Sequence, residues 1–171
     1  MAKKVRSSSD LPADVLAGQF ASEVRRHQLA QDLFDEAACA RLGINRSDGR
    51  ALDVIERRER VTAGHLADEI GLTSGATTTL IDRLERRGYV RRVRDDADRR
   101  RVHVELTDRA RAEAAVIWGP MAREAATLLG RSSPEDIAAV LAFLRHSRGV
   151  LEHHARRVRA LGPPEEISAS P

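Results

Sequence analysis

The sequence predicts a mainly α-helical protein with a small β-hairpin wing, and three observations lead there. Aromatic residues make up only 3% of the 171 positions while hydrophobic residues reach 42%, which calls for an aliphatic core packed mainly between helices. Apolar residues recur at helical spacing over most of the chain, between recognisable caps. One short stretch behaves differently. At 100–106, Val102, Val104 and Leu106 alternate strictly with Arg101, His103 and Glu105, the period of a strand with one buried and one wet face.

Residues 11–42 read as a long helix. Pro12 suits its first turn, Leu16, Phe20 and Val24 repeat every four residues, and Leu33, Phe34, Ala37 and Ala38 extend the apolar side. Gly43 is a natural C-terminal stop. Asn45 then caps a second helix, with Asp48 three residues on and Ala51, Leu52 and Ile55 facing inward. Thr62 caps a short helix whose inner face is Leu66, Ala67 and Ile70 and which Gly71 ends. Thr73 or Ser74 caps the next helix, which runs to about residue 87 and stops at Gly88. Two short helices joined by a Gly-containing tight turn form a helix-turn-helix.

Strands follow at 89–94 and 100–106, joined through the turn-rich DDADR of 95–99. Thr107 caps a helix to about residue 129, with a bend expected at Gly119-Pro120, where proline cannot donate to the helical ladder. Ser133-Pro134-Glu135-Asp136 is a strong start for the last helix: cap, proline at the first position, acids in the first turn. That helix carries Ile137, Leu144, Leu151 and Val158 at intervals of seven, with Leu141 and Ala155 between them. Such a seam wants a partner helix.

The organisation expected is therefore a winged helix-turn-helix domain at 45–106, flanked by dimerisation helices at 11–44 and 107–161, with flexible tails at 1–10 and 162–171. Leu16, Phe20, Ile137, Leu141, Leu144, Leu151 and Val158 are the candidate interface with a second copy. The basic, Ser-rich opening MAKKVRSSSD lacks the apolar run of an export signal. No stretch approaches the roughly 18 apolar residues of a membrane span, so a cytoplasmic protein with no membrane partner is expected. Cys39 is the single cysteine, which excludes an intramolecular disulfide or a thiolate metal cluster within one chain. No Gly-rich phosphate loop, nucleophile elbow or paired carboxylates can be picked out; neither enzyme activity nor a cofactor is expected.

Charge points to the ligand. The net charge is only +3, but residues 83–101 hold nine arginines against Glu85, Asp95, Asp96 and Asp98. Arginines at that density seek an anion. On the preceding helix, at 100° per residue, Ala76, Leu80, Ile81 and Leu84 fall on one arc with Thr77 inside it. The opposite arc holds Gly75, Thr78, Thr79, Asp82 and Arg86, with Ser74 at the tip and Arg83 on the flank. Small hydroxyl residues at a helix N-terminus can approach base edges and phosphates in a major groove. Arg94, Arg99, Arg100 and Arg101 on the hairpin suit phosphate or a narrow minor groove. Asp98, beside Arg99 and Arg100, can accept a bidentate guanidinium pair and brace the wing. The role of Asp95 and Asp96 stays open at this level, between bracing Arg94 and Arg101 and keeping the tip from binding every phosphate alike.

The stretch LADEIGLTSGATTTLIDRLERRGYVRRVRDDADRRRVHVELT at 66–107 resembles the MarR family of bacterial transcriptional regulators. The elements that carry the resemblance are LIDRLERRGYV at 80–90, the DADRR wing at 96–100 and the VHVELT strand exit. The resemblance implies a homodimer held by its terminal helices and bound to a pseudo-palindromic DNA operator. It implies a recognition helix at 74–87 in the major groove, Arg99 or Arg100 in the adjacent minor groove, and Asp98 as the brace. Thr79 departs from the pattern, since many members carry arginine there, and implies a sequence preference of its own. The family also implies release of DNA by a small aromatic or lipophilic effector, for which Phe34, Trp118 and Met121 are the large groups to inspect.

Two rival readings share this fold. One is a winged helix that docks an acidic protein. The other is a redox- or metal-responsive regulator built on Cys39 or on His146, Glu152, His153 and His154. Cys39 does not match the early first-helix cysteine of peroxide-sensing relatives. Positions 146 and 153 stand about 10 Å apart along a helix, too far for one ion within a chain.

Overall fold

The computed structural model describes residues 12–95, 98 and 101–162. Among them the order is α1 (Ala13–Leu42), α2 (Arg46–Arg58), β1 (Val61–Thr62), α3 (Ala63–Ile70), α4 (Ser74–Arg86), β2 (Val90–Arg94), β3 (Val102–Leu106), α5 (Asp108–Leu129) and α6 (Pro134–Ala160). Of the expected tails at 1–10 and 162–171, all but Gly162 lie outside the described residues, as does Leu11. Two compact units part between Ile117 and Trp118.

Every helix after α1 starts where its capping chemistry dictates; α1 begins after Pro12 with no side-chain cap. Asn45 and Asp48 form a reciprocal capping box on α2: the Asp48 N–H donates to Asn45 Oδ1 at 2.9 Å, and the Asn45 N–H to Asp48 Oδ2 at 3.4 Å. Thr62, Thr73 and Ser133 accept from the backbone N–H groups of His65, Ala76 and Asp136. Thr107 both accepts from the Ala110 N–H at 3.2 Å and donates to the Gly88 carbonyl at 2.7 Å, which joins the end of β3 to the turn after α4. Gly43 ends α1 at φ +65°, and a Cβ there would lie 2.9 Å from Arg87 Nη1. The left-handed conformation therefore favours glycine at that stop, while the Arg87 side-chain end could move aside.

The first unit has one core. Ile55 from α2, Leu66 from α3, Leu80, Ile81 and Leu84 from α4, and Val90 and Val104 from the sheet are all nearly or fully buried. Tyr89 closes one side, its buried hydroxyl donating to the Leu42 carbonyl at 3.0 Å while the Arg109 guanidinium lies 5.2 Å from its ring centroid. Packing of α1 on α2 is close: a Cβ on Gly49 would sit 2.9 Å from Cys39 Sγ.

The sheet is antiparallel with order β1-β3-β2. Beyond the expected hairpin it gains β1, whose two residues are too few to show any period; Val61 pairs with Val104 and Thr62 with His103. The strict inside-outside alternation expected of β3 does not hold. Val102 is exposed and Glu105 is buried. Val102 pairs with Arg94 at the far end of β2, away from the helices. Glu105 is covered because two guanidinium groups close on it, Arg91 at 2.7 Å and Arg60 at 3.3 Å. The Arg91 hydrogen bond first, with the charges of Arg91 and Arg60, holds this carboxyl below the usual range against burial, which pushes it up. On α4, Ala76 is exposed although its arc faces inward, and Thr77 takes the fully buried place.

α5 continues as helix through Gly119 and Pro120; Pro120 leaves the Val116 carbonyl without its usual backbone donor. In the second unit α6 contains no buried residue.

Candidate nucleic-acid interface

The N-terminal half of α4 presents the surface expected of a reading helix. Ser74, Gly75, Thr78, Thr79, Asp82 and Arg86 are all exposed, and the helix is fixed from behind by Leu80, Ile81 and Leu84. The Thr78 hydroxyl donates to the Ser74 carbonyl and that of Thr79 to the Gly75 carbonyl, each at 3.0 Å. With those protons committed to the backbone, each hydroxyl keeps lone pairs for an external donor, and each methyl remains for apolar contact such as a thymine methyl. No atom lies within 4 Å of a Cβ built on Gly75, so this end of the helix is open to close approach.

Arg83 behaves otherwise than its place among the DNA-contacting candidates suggested. Its Nε reaches Asp48 Oδ1 at 3.2 Å and Oδ2 at 3.0 Å, and its Nη2 reaches Oδ1 at 2.6 Å. Asp48 is fully buried. The same carboxylate thus completes the α2 capping box and anchors α4, and its hydrogen bond raises the Arg83 pKa above the ordinary guanidinium value. Arg83 is a tie between helices.

The wing divides its arginines in the same way. Arg91 is spent on Glu105. Arg92 turns to α4, where it contacts Asp82 at 2.5 Å and pairs with Glu85, while its backbone N–H donates to Glu85 Oε1 at 3.2 Å. Arg94 and Arg101 are exposed, and they are the described wing cations placed for an external anion. Arg99, Arg100 and Asp96 lie outside the described residues. Asp98 meets Arg101 at 3.8 Å, an ion-pair distance and too long for a hydrogen bond; its expected pairing with Arg99 and Arg100 falls on residues outside the description.

Asp95, left without a role by the sequence, organises the hairpin. Its Oδ1 accepts the Asp98 N–H at 3.1 Å and its Oδ2 lies 2.9 Å from His103 Nε2. The Asp95 N–H donates to the Arg101 carbonyl at 3.0 Å, and the Arg101 N–H to that of Asp98 at 2.8 Å. Residue spacing alone could not find this, because Asp95 and His103 meet only through the register that opposes Val93 to His103. Arg92 was findable: strand alternation puts it on the face of Val90, toward α4.

The remaining candidates separate by unit. Phe34, half-buried, belongs to α1 in the first unit, whereas Trp118, half-buried, and Met121, exposed, belong to the second. Leu16, Phe20, Leu141, Leu144, Leu151 and Val158 are 43–59% exposed, and Ile137 is half-buried. Burial, then the neighbouring Asp35, pushes the Cys39 thiol up, away from the thiolate a redox sensor uses. Among the described residues no group of three His, Cys, Asp or Glu side chains has metal-binding geometry, and no helix is long and apolar enough to cross a membrane.

Comparison with known proteins bears on the same segment. A sequence model described as MarR family matches residues 42–101. The uncharacterized HTH-type transcriptional regulator YcgE of Bacillus subtilis (strain 168) is 29% identical over 127 residues, covering 74% of this chain and 82% of YcgE. The HTH-type transcriptional regulator SarZ of Staphylococcus haemolyticus is 37% identical over 54 residues, 32% of this chain and 37% of SarZ. Among solved structures, a MarR family protein from Bacillus stearothermophilus superposes with a TM-score of 0.60 at 22% identity, over 83% of this chain and all but 1% of its own. A MepR mutant of S. aureus bound to oligodeoxyribonucleotide gives 0.51 at 20% identity, over 78% and 96%. With its three-stranded sheet beside a helix-turn-helix, a MarR family match across residues 42–101, and similarity to HTH-type transcriptional regulators, this chain carries the winged helix-turn-helix of a MarR-type, DNA-binding transcriptional regulator.

Proposed function

We propose that this protein is a homodimeric, sequence-specific repressor that binds a pseudo-palindromic duplex operator and is released by a small aromatic or lipophilic effector. The observation that carries the reading is the exposed arc of α4, Ser74 to Arg86, in the same unit as a wing whose Arg94 and Arg101 remain exposed. Helix N-terminal hydroxyls serve base edges and phosphates, and exposed guanidinium groups serve phosphates. The MepR mutant's bound oligodeoxyribonucleotide supports DNA as the ligand.

The flanking helices supply the dimer in this reading. Val140, Leu141, Leu144, Leu151 and Val158 on α6 are each about half exposed, and covering the remainder against a second copy is worth about 1 kcal/mol apiece. A protein-docking role for the wing is the rival, and salt dependence separates the two. Duplexes selected from a random pool should bind with log K falling steeply against log salt, and Arg94→Ala or Arg101→Ala should each lower that slope by about 1 per subunit while weakening all sequences alike. Absence of binding to any duplex at about 50 mM salt counts against the proposal. Repeating the selection with aromatic acids present tests release, and substitutions at Phe34, Trp118 and Met121 test which groups the effector needs.

A further inference from the structure

Asp82 poses an electrostatic problem on this surface. It is exposed, on the arc shared with Thr78, Thr79 and Arg86, and a bare carboxylate there repels phosphate by long-range Coulomb force. Its side-chain cation among the described residues is Arg92, through Oδ1. Arg86 sends its Nε to the Asp82 backbone carbonyl at 3.3 Å and does not reach the carboxylate. Glu85 is better supplied, since it holds both the Arg92 side chain and the Arg92 backbone N–H. The Arg92 side chain is two-thirds covered, so its guanidinium is held between two carboxylates of α4 and is not a spare wing cation.

We propose that Arg92 is the positioning residue of the DNA-reading surface: it masks the Asp82 carboxylate and fastens the first wing strand to the recognition helix, so that helix and wing meet DNA in one geometry. This rests on the DNA-binding reading above. Arg92 leaves β2 on the same face as Val90, opposite Val104 in the register, and β2 is thereby tied to α4 by side chain and backbone together. Replacing Arg92 strips the mask from Asp82, while Glu85 keeps its backbone donor. The loss in binding therefore comes mainly through Asp82, and removing that charge should reverse it.

The test is a comparison of Arg92→Ala, Arg92→Lys and the double variant Arg92→Ala with Asp82→Asn, on one selected duplex and one scrambled duplex across a salt series. Arg92→Ala should weaken the selected duplex about tenfold, within the range of coupling between contacting residues, with an unchanged salt slope. The double variant should recover most of that loss. Arg92→Lys, a point charge that cannot span both carboxylates, should fall between wild type and Arg92→Ala. Thermal melts establish that each variant folds; if Arg92→Ala does not, Arg92→Lys and the double variant carry the comparison. A double variant as weak as Arg92→Ala, with a slope lowered by about 1 per subunit, would make Arg92 a direct phosphate contact and overturn the proposal. So would full affinity in Arg92→Ala. Failure of the wild-type chain to bind either duplex would instead defeat the DNA-binding reading itself.

Discussion

Replacing Asp48 by asparagine isolates the tie between α2 and α4. The substitution keeps the side-chain shape and the half of the capping box in which the residue 48 N–H donates to Asn45 Oδ1. It removes the anion that accepts three contacts of 2.6 to 3.2 Å from Arg83. Breaking a buried ion pair from one side costs about 3–5 kcal/mol. Arg83 is one-third exposed and regains some hydration, which lowers the expected loss to about 2–3 kcal/mol. For a chain of this size that is a fall in Tm of about 4–12 °C. The assay is circular-dichroism melting and urea denaturation at one fixed protein concentration, because the proposed dimer would make apparent stability depend on concentration. Arg83→Ala should lose a similar amount, and the two substitutions combined should cost clearly less than their sum. An Asp48→Asn variant that melts within about 1 °C of wild type, or an Arg83→Ala variant that keeps its stability and loses only DNA affinity, would show that Arg83 belongs to the DNA contacts after all.

Three further outcomes follow from particular contacts. Leu144→Glu with Leu151→Glu should yield monomers by sedimentation, and dimers surviving the pair of changes would remove α6 from the proposed interface. Glu105 is held below the usual carboxylate range by Arg91 and then Arg60, so its contribution is full above that range and is lost as pH falls through its depressed folded pKa. Wild type should therefore exceed Glu105→Gln in stability at pH 7, keep that margin down to the usual carboxylate range and lose it progressively as pH falls below that range, as followed by denaturant titration; a margin independent of pH contradicts the assignment. Gly49→Ala places a Cβ 2.9 Å from Cys39 Sγ and should cost about 1–2 kcal/mol, whereas in a Cys39→Ala background the same change should be neutral or stabilising by up to about 1 kcal/mol through helix propensity. Equal effects in both backgrounds would mean that the two positions do not contend for space.

Local chemistry is what this sequence determined by itself. Every capped helix begins within two residues of its cap because a cap is a contact between neighbours in the chain: Asn45 with Asp48, Thr73 with Ala76, Thr107 with Ala110, Ser133 with Asp136. Helical periodicity likewise marked most inner side chains of α2, α3 and α4, the exposed Ala76 excepted, and the run from 66 to 107 carried the family resemblance. Tertiary structure alone decided what each charge is for. Arg83 and Arg86 lie three residues apart on one helix with the same side chain, yet the first is tied to buried Asp48, 35 residues away, and the second is exposed. Glu105 is buried in defiance of alternation because Arg60 and Arg91 arrive from two neighbouring segments. Asp95 found His103 across a register, and Arg92 found Asp82 and Glu85 across a helix-strand packing. An ion pair depends on where two distant segments are brought together, and sequence spacing does not encode that distance.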